Sequence, residues 1–461
     1  MPEDFIKKVV EMPAVGLDAT VETSQKIVHG VSSHSHLKKA GQFWKTLGPG
    51  LTTGASDDDP SGIATYSQTG SMYGFQLLWL AAFTFPLMSV VQEMCARIGL
   101  VTGRGLAGNI RIFFPKWVLY TCTILLFAAN SLNIGADLGA MAKGVQLLAP
   151  NLNFSALIVG FTLISVLLQI YTTYDKYAKF LKWLALILLA YAFAFVNIAA
   201  TSNSINWSDF LMNSFIPNLN LGKDQIILIC AILGTTISPY LFFWQTSQEV
   251  EEQILEGKTT LKLRQEETSK KEVKDMRIDV WSGMFLSNLV MFFIIATCAT
   301  TLFANGITNI TSAEEAATAL RPIAGENAYL LFALGLIGTG MLAIPVLAGS
   351  ASYAISEAFG WRSGLFRKLK DARAFYGVIM LSTFVGLGIN FMGFDPIKVL
   401  IFSAVVNGLI APIILATIVI ISSNEKVMGK WVNHTFGKIL GWGITGLMTV
   451  AGLATIWVSF F

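Results

Sequence analysis

Charge is scarce in this chain. Only 13% of its 461 residues are Asp, Glu, Lys or Arg, against about 25% in a typical soluble domain. With 54% hydrophobic residues and mean hydropathy of +0.60, the deficit excludes a soluble globule and indicates a polytopic membrane protein. Cysteine is also sparse. Cys95, Cys122, Cys230 and Cys298 stand singly inside apolar segments, without a CxxC pair, so neither a disulfide framework nor a thiolate metal site is indicated. Histidine is missing from the apolar spans: His29, His34 and His36 precede them and His434 lies in a connection. Imidazole is then unavailable to ligate metal or relay protons at membrane depth, and His34-Ser35-His36 reads as part of a solvated tail. No Walker-type glycine loop is present, so ATP-driven pumping by this chain is not indicated.

Long apolar runs are plentiful. They lie at about 46–70, 75–101, 117–147, 154–174, 177–199, 226–250, 279–304, 328–357, 374–393, 397–422 and 438–461. Each is near or above the roughly 20 residues that a helix needs to cross a bilayer, so eleven transmembrane helices are expected. Residues 1–45 are polar, lack the apolar run of a cleavable signal, and read as a cytoplasmic tail. Alternate connections are basic: Arg104, Arg111 and Lys116; Lys176 and Lys179; residues 253–277; Arg362 to Arg373; Lys426 and Lys430. The positive-inside rule then predicts a cell-membrane protein with its N-terminus cytoplasmic and its C-terminus outside.

The first apolar run contains Asp57-Asp58-Asp59 directly before Pro60. One Asp at the centre of a membrane helix costs about 2.5–3.5 kcal/mol, so three mark a functional site. Gly54, Pro60, Ser61 and Gly62 surround them, which predicts a helix interrupted at membrane depth. The sixth run is interrupted likewise, by Gly234, Thr235, Thr236, Ser238 and Pro239. Breaks at matching positions of two five-helix halves point to a binding site between inverted repeats. Around the breaks every donor is oxygen: carboxylates, the Ser61, Thr235, Thr236 and Ser238 hydroxyls, and freed carbonyls. Such a set suits hard cations, Mg2+ above all and Mn2+ or Ca2+ less exclusively. Asp59 is the first choice for direct ligation, with Thr235 and Ser238 facing it. Asp57 and Asp58 point elsewhere in a regular helix and act through water or field, while Gly62 and Ser238 leave room for bound water. Capping or back-bonding is the alternative for Thr235 and Ser238, and packing is the alternative for Tyr240, otherwise a wall or gate. Asp137 shares a helix face with Asn130 and Asn133, a stripe that lines an aqueous path or forms a structural network. Glu93 and Arg97, four apart, read as an intrahelical ion pair.

Over most of residues 45–420 the chain resembles the Nramp (natural resistance-associated macrophage protein) family of divalent-metal transporters. The strongest pieces are Gly48-Pro-Gly-Leu51 leading to Asp59-Pro60, Gln92-Glu-Met-Cys-Ala-Arg-Ile-Gly-Leu-Val-Thr-Gly103, and Gly135-Ala-Asp-Leu138. The resemblance implies an all-α, LeuT-like fold of 5+5 inverted repeats with helices 1 and 6 unwound around the ion. The core would then span 46–424, with helices 1–5 and 6–10 as the repeats, and 425–461 would add a loop and an eleventh helix. The chain departs from the family at its ligands. Ser61-Gly62 replaces Gly-Asn after Asp59-Pro60, and Ser238-Pro239-Tyr240 replaces Met-Pro-His. Thr235 replaces an Ala, Ala140 replaces the Glu that pairs with Asp137, and Gln245 replaces a further histidine of helix 6. The soft ligands and much of the proton relay are gone, a pattern that resembles the Nramp-related magnesium transporter branch.

The expected function is transport of Mg2+, and also Mn2+, with weak or absent proton coupling, by alternating access between helices 1 and 6. A proton-coupled Mn2+/Fe2+ symporter is the alternative. A Na+-coupled amino-acid or organic-solute transporter fits less well, because three aspartates would repel a substrate carboxylate. The expected partners are a divalent metal ion and the lipid bilayer, with no nucleic acid, no bound cofactor, no enzymatic activity, and a monomeric state.

Overall fold

A computed structural model describes residues 48–172, 189–201, 205–266, 268–310, 313–320, 325 and 328–460. The expected tail, and residues 177–188 of the expected fifth helix, lie outside the described residues. Residues Pro49–Phe461 form one compact unit.

The unit is helical throughout the described residues. In chain order its main helices are α1 (Pro49–Asp57), α2 (Pro60–Tyr73), α3 (Trp79–Thr102), α4 (Leu106–Phe113), α5 (Lys116–Leu148), α6 (Phe154–Tyr171), α7 (Leu189–Thr201) and α8 (Trp207–Phe215). They continue as α9 (Lys223–Thr236), α10 (Pro239–Leu255), α11 (Leu261–Glu266), α12 (Lys270–Thr301), α13 (Ala328–Phe359), α14 (Arg373–Ile389), α15 (Pro396–Ser422) and α16 (Thr435–Phe460). Among the described residues, nine helical spans are long and apolar enough to cross a membrane, counting α9 and α10 as one. The pair α1–α2 and the described part of the fifth segment, α7, are not among the nine.

Both helix breaks arise from the same local chemistry. Pro60 and Pro239 each lack the N–H of a continuing helix and sit at the first turn of α2 and α10. A residue before proline is pushed into extended conformation, and Asp59 (φ −68°, ψ 173°) and Ser238 (φ −78°, ψ 131°) adopt it. α1 stops at Asp57 and α9 at Thr236, so each apolar run becomes two helices joined by two non-helical residues.

Close backbone contacts hold the broken helices in place. α1 packs on α12 through glycines: a Cβ at Gly54 would lie 2.2 Å from the Gly283 carbonyl oxygen, and one at Gly283 2.1 Å from that of Gly50. α9 packs on α15 likewise, where a Cβ at Gly234 would lie 2.1 Å from the Ala404 oxygen. α10 packs on α3, with Gly99 against the Thr246 carbonyl. α5 lies against α13, α14 and α15 and forms the scaffold behind the breaks. The outer helices present apolar side chains outward, among them Leu163 and Leu167 of α6 and Val450 and Trp457 of α16, as a lipid-facing surface requires.

The connections sort by charge. Arg104, Arg264, Arg362 and Arg367, from three of the basic connections, line one cavity of about 300 Å³. Asp224, Asn309 and Asp395, from connections poor in positive charge, line another of about 490 Å³.

Gly283→Ala is expected to lower the thermal unfolding midpoint in detergent, because overpacking such a contact costs roughly 1–3 kcal/mol. Gly160→Ala, with nothing within 4 Å of the added Cβ, is expected to leave the midpoint unchanged or raise it slightly. Equal midpoints for Gly283→Ala and the parent protein would show that the α1–α12 contact has slack.

Candidate metal site at the paired helix breaks

Asp59 ends the first break as the N-cap of α2. Its Oδ1 accepts from the Gly62 backbone N–H (2.8 Å) and the Ser61 hydroxyl (2.6 Å). Its Oδ2 accepts from Asn133 Nδ2 at 2.7 Å. The carboxylate is thus fixed at the positive end of α2 and held by the scaffold helix α5. Asn133 is fixed in turn, its Oδ1 accepting from Ser403 of α15 at 2.6 Å.

The other two aspartates turn toward α12. Asp57 Oδ2 accepts from the Ser287 hydroxyl at 2.7 Å, and Asp58 Oδ1 lies 3.4 Å from the same hydroxyl. Asp57 Oδ1 has no hydrogen-bond partner. All three side chains are buried, and no described Lys, Arg or His forms an ion pair with them. Among the described residues no group of three or more His, Cys, Asp or Glu converges as a ready-made metal cage.

The second break faces the first. Thr235 Oγ1 lies 3.5 Å from Ser61 Oγ, which itself donates to Asp59. A Cβ on Gly62 would lie 3.3 Å from the Asp57 carbonyl oxygen and 3.4 Å from Thr235 Oγ1, so the missing side chain keeps a narrow space between them. Ser238 is different: its hydroxyl donates to the carbonyls of Gly234 and Thr235 in the last turn of α9, both at 2.7 Å. Thr236 likewise bonds back to Ile232 O. Of the two readings for these hydroxyls, ligand or back-bond, Ser238 and Thr236 adopt the back-bond geometry, while Thr235 points across to Ser61.

The polar stripe of α5 divides. Asn133 joins the Asp59 network, whereas Asn130 Nδ2 donates to Leu347 O and Ser350 Oγ of α13, both at 2.8 Å. Asp137 is fully buried and neither of its carboxylate oxygens has a hydrogen-bond partner. The Tyr240 hydroxyl donates to the Ser56 carbonyl at 2.8 Å, so it ties α10 to the end of α1 as well as filling the core. Gln245 accepts from Thr53 Oγ1 (2.5 Å) and donates to Glu249 (2.8 Å), a buried chain leading away from the break. Glu93 and Arg97 form the expected pair at 3.8 Å, and Glu93 also binds Arg277 and the Trp281 indole N–H.

Two residues had no signal in the sequence. Asp279 of α12 caps α1, its carboxylate accepting from the Gly50 and Leu51 amides at 2.6 and 3.1 Å. Ser287, two turns further along, serves Asp57 and Asp58. Only their spacing of eight on one face of an apolar helix hints at a shared partner.

A cavity of about 490 Å³ opens beyond α2, lined by Gln68, Tyr73, Asp224, Asn309, Asp395 and Lys398. Gln68 lies nine residues past Asp59, about 13 Å along the helix at 1.5 Å per residue. Its side chain is clamped to the connection after α12, donating to Asn309 Oδ1 and accepting from the Ile310 N–H, both at 2.9 Å.

Long apolar helices, two of their runs broken by proline, define an integral membrane protein, and comparison with known proteins agrees with that class. Residues 50–458 match the family model described as natural resistance-associated macrophage protein-like, and the chain belongs to that family. It is similar to the divalent metal cation transporter MntH of Caldanaerobacter subterraneus subsp. tengcongensis, 27% identical over 409 residues, covering 87% of this chain and 90% of that one. The MntH of Klebsiella pneumoniae subsp. pneumoniae is also 27% identical, over 408 residues, covering 87% and 91%. Among solved structures, the Eremococcus coleocola manganese transporter in complex with an aromatic bis-isothiourea substituted compound shares the fold, with TM-score 0.68 and 17% identity. That match covers 92% of this chain and 88% of the other. The chain is thus a multi-pass membrane protein of the Nramp family.

Asp279→Asn is expected to loosen the start of α1, because hydrogen bonds to a charged group contribute roughly 1.5–3 kcal/mol. Hydrogen exchange at the amides of residues 50–53 should quicken while that of residues 61–65 does not. Unchanged exchange at 50–53 would remove Asp279 from the capping role.

Proposed function

We propose that the protein is a secondary transporter of divalent metal cations, that Mg2+ is its favoured ion with Mn2+ also carried, and that proton coupling is weak or absent. One observation carries this reading: three buried carboxylates at a proline-made break, with no cationic side chain among the described residues paired to them and oxygen donors around them. Burial of even one uncompensated carboxylate costs several kcal/mol, and neighbouring like charges add to that. A divalent cation supplies the missing charge.

In this reading Asp59 is the central ligand, already aimed by Ser61, Gly62 and Asn133. Thr235 and the Asp57 carbonyl approach from either side of the space at Gly62. Asp57 and Asp58 act through field and water, and Ser238 offers only an oxygen lone pair. Residues 54–62 and 234–240 contain no Met or His, which favours a hard ion that retains part of its hydration. Tyr240, Asn130, Asp137 and Gln245 bound the route in and out. The membrane potential drives two positive charges inward with about 4.6 kcal/mol per 100 mV, twice the ~2.3 for one charge, so uncoupled uptake has a sufficient source of energy.

The proposal includes two inverted five-helix repeats followed by an eleventh helix, with the N-terminus cytoplasmic and the C-terminus outside. The packing supports the repeat, since α2 lies on α12 as α10 lies on α3, each the second piece of a broken helix against the second helix of the opposite half. The proton-coupled Mn2+/Fe2+ symporter remains a second reading because of one observation, the unpartnered buried carboxylate of Asp137, a place for a proton to reside.

Proteoliposome flux separates the two. Mg2+ uptake without internal acidification is expected, and Asp59→Ala should lower its initial rate at least about tenfold, equivalent to about 1.4 kcal/mol. Mn2+ uptake with strict acidification and no Mg2+ flux would establish the symporter instead. Ser238→Met, which adds a soft donor at the second break, is expected to shift the Mn2+ to Mg2+ flux ratio toward Mn2+. An unchanged ratio would remove position 238 from selectivity.

A further inference from the structure

The 300 Å³ cavity on the basic face is walled by the α3–α4 turn, α10, α11, α13 and the α13–α14 connection. Arg104, Arg264, Arg362 and Arg367 all line it. The side chains of Arg104 and Arg362 make no hydrogen bond or ion pair with any described residue. Arg264 spends its donors on the carbonyls of Gly103, Lys258 and Thr259 and meets no carboxylate. Its own burial, and then the like charge of Arg104, lower its pKa. Arg104 and Arg264 are like charges held together with no ion pair to a described carboxylate, which fits an anionic occupant.

Two glutamates share the cavity, but both are committed to the protein. Glu251 accepts from the Tyr353 hydroxyl and from the Leu365 and Phe366 amides, and faces Arg367. Glu357 accepts from the Gly108 amide at the start of α4 and from Ser247. A Cβ at Gly105 would meet Glu357 Oε1 at 1.9 Å, so a glycine is needed there for the carboxylate to sit against the helix end. The guanidinium groups of Arg104 and Arg362 therefore remain for a ligand. Guanidinium forks match phosphate oxygens bidentately. Exposed Trp361, on which Phe359 stacks, and Phe366 line the same rim, and such aromatic side chains are enriched at membrane interfaces.

We propose that this cavity binds the phosphate group of an anionic ligand, and that the headgroup of an anionic phospholipid supplies it. A basic pocket between helices, bordered by interfacial aromatics, suits a lipid headgroup. A phosphate held by Arg104 and Arg362 cross-links the α3–α4 turn to the α13–α14 connection, so occupancy raises thermal stability.

The test titrates purified full-length protein in neutral detergent with dioctanoyl phosphatidylglycerol, dioctanoyl phosphatidylcholine or inorganic phosphate, and follows the unfolding midpoint. Phosphatidylglycerol is expected to give a saturable rise and phosphatidylcholine none. Arg362→Gln, at an exposed position, should weaken the apparent affinity roughly fivefold, and Arg104→Gln/Arg362→Gln about twenty-five-fold, at about fivefold per guanidinium. Arg373→Gln, on the same face but outside the cavity, should leave it unchanged. The single variant carries the test if the double variant does not fold. A saturable rise with inorganic phosphate alone, lost in the same variants, would keep the phosphate site and assign it a soluble ligand. Equal effects of the two lipids with none from phosphate, or variants that respond like the parent protein, would overturn the proposal.

Discussion

The fold is organised around the interruption of two membrane helices by proline, with a run of carboxylates at one of the interruptions. An unbroken helix would point Asp57, Asp58 and Asp59 in three directions and leave no backbone oxygen free. The break puts Asp59 at the start of α2, where backbone amides and a hydroxyl orient it, and leaves Asp57 and Asp58 to α12. The rest of the packing serves to hold that break. Glycines bring α1 against α12, Asp279 caps α1, and Tyr240 engages the Ser56 carbonyl near its end.

This arrangement gives each acid a different environment. Asp59 receives three short hydrogen bonds that fix its orientation. Asp57 and Asp58 share a single hydroxyl, and one oxygen of Asp57 is bare. Asp137 has no hydrogen-bond partner among the described residues, two turns of α5 beyond Asn130. Unsatisfied buried carboxylates are expensive, and in the proposed function an ion or a proton offsets that cost. The same contrast marks the basic face, where unpaired guanidinium groups stand beside fully satisfied glutamates.

Much of the fold and part of the site could be read from the chain. Both breaks fell where Asp59-Pro60 and Ser238-Pro239 place them, because the prohibition on proline inside a helix is local. Helix limits agreed to within a few residues for most segments, although α12 begins at Lys270, nine residues before its apolar run, because a Ser269–Glu272 capping box starts it in polar sequence. The hydroxyls of the second break looked equivalent in sequence and are not. Thr235 points to Ser61, while Ser238 turns back onto its own helix. Asn130 and Asn133 share a face by spacing, yet one braces α13 and the other orients Asp59.

The sequence by itself determined the membrane setting, the two helix breaks and the place of Asp59 at the first of them. Each follows from composition or from neighbours within a few residues, where sterics and hydrophobicity act alone. Tertiary structure decided which donors converge. Asp59 meets Asn133 from 74 positions away, Asn133 meets Ser403 from 270, and Asp57 meets Ser287 from 230. Such contacts depend on how helices stack, and close glycine approaches such as Gly54 on Gly283 set that stacking. The spacing of residues along the chain carries no record of it.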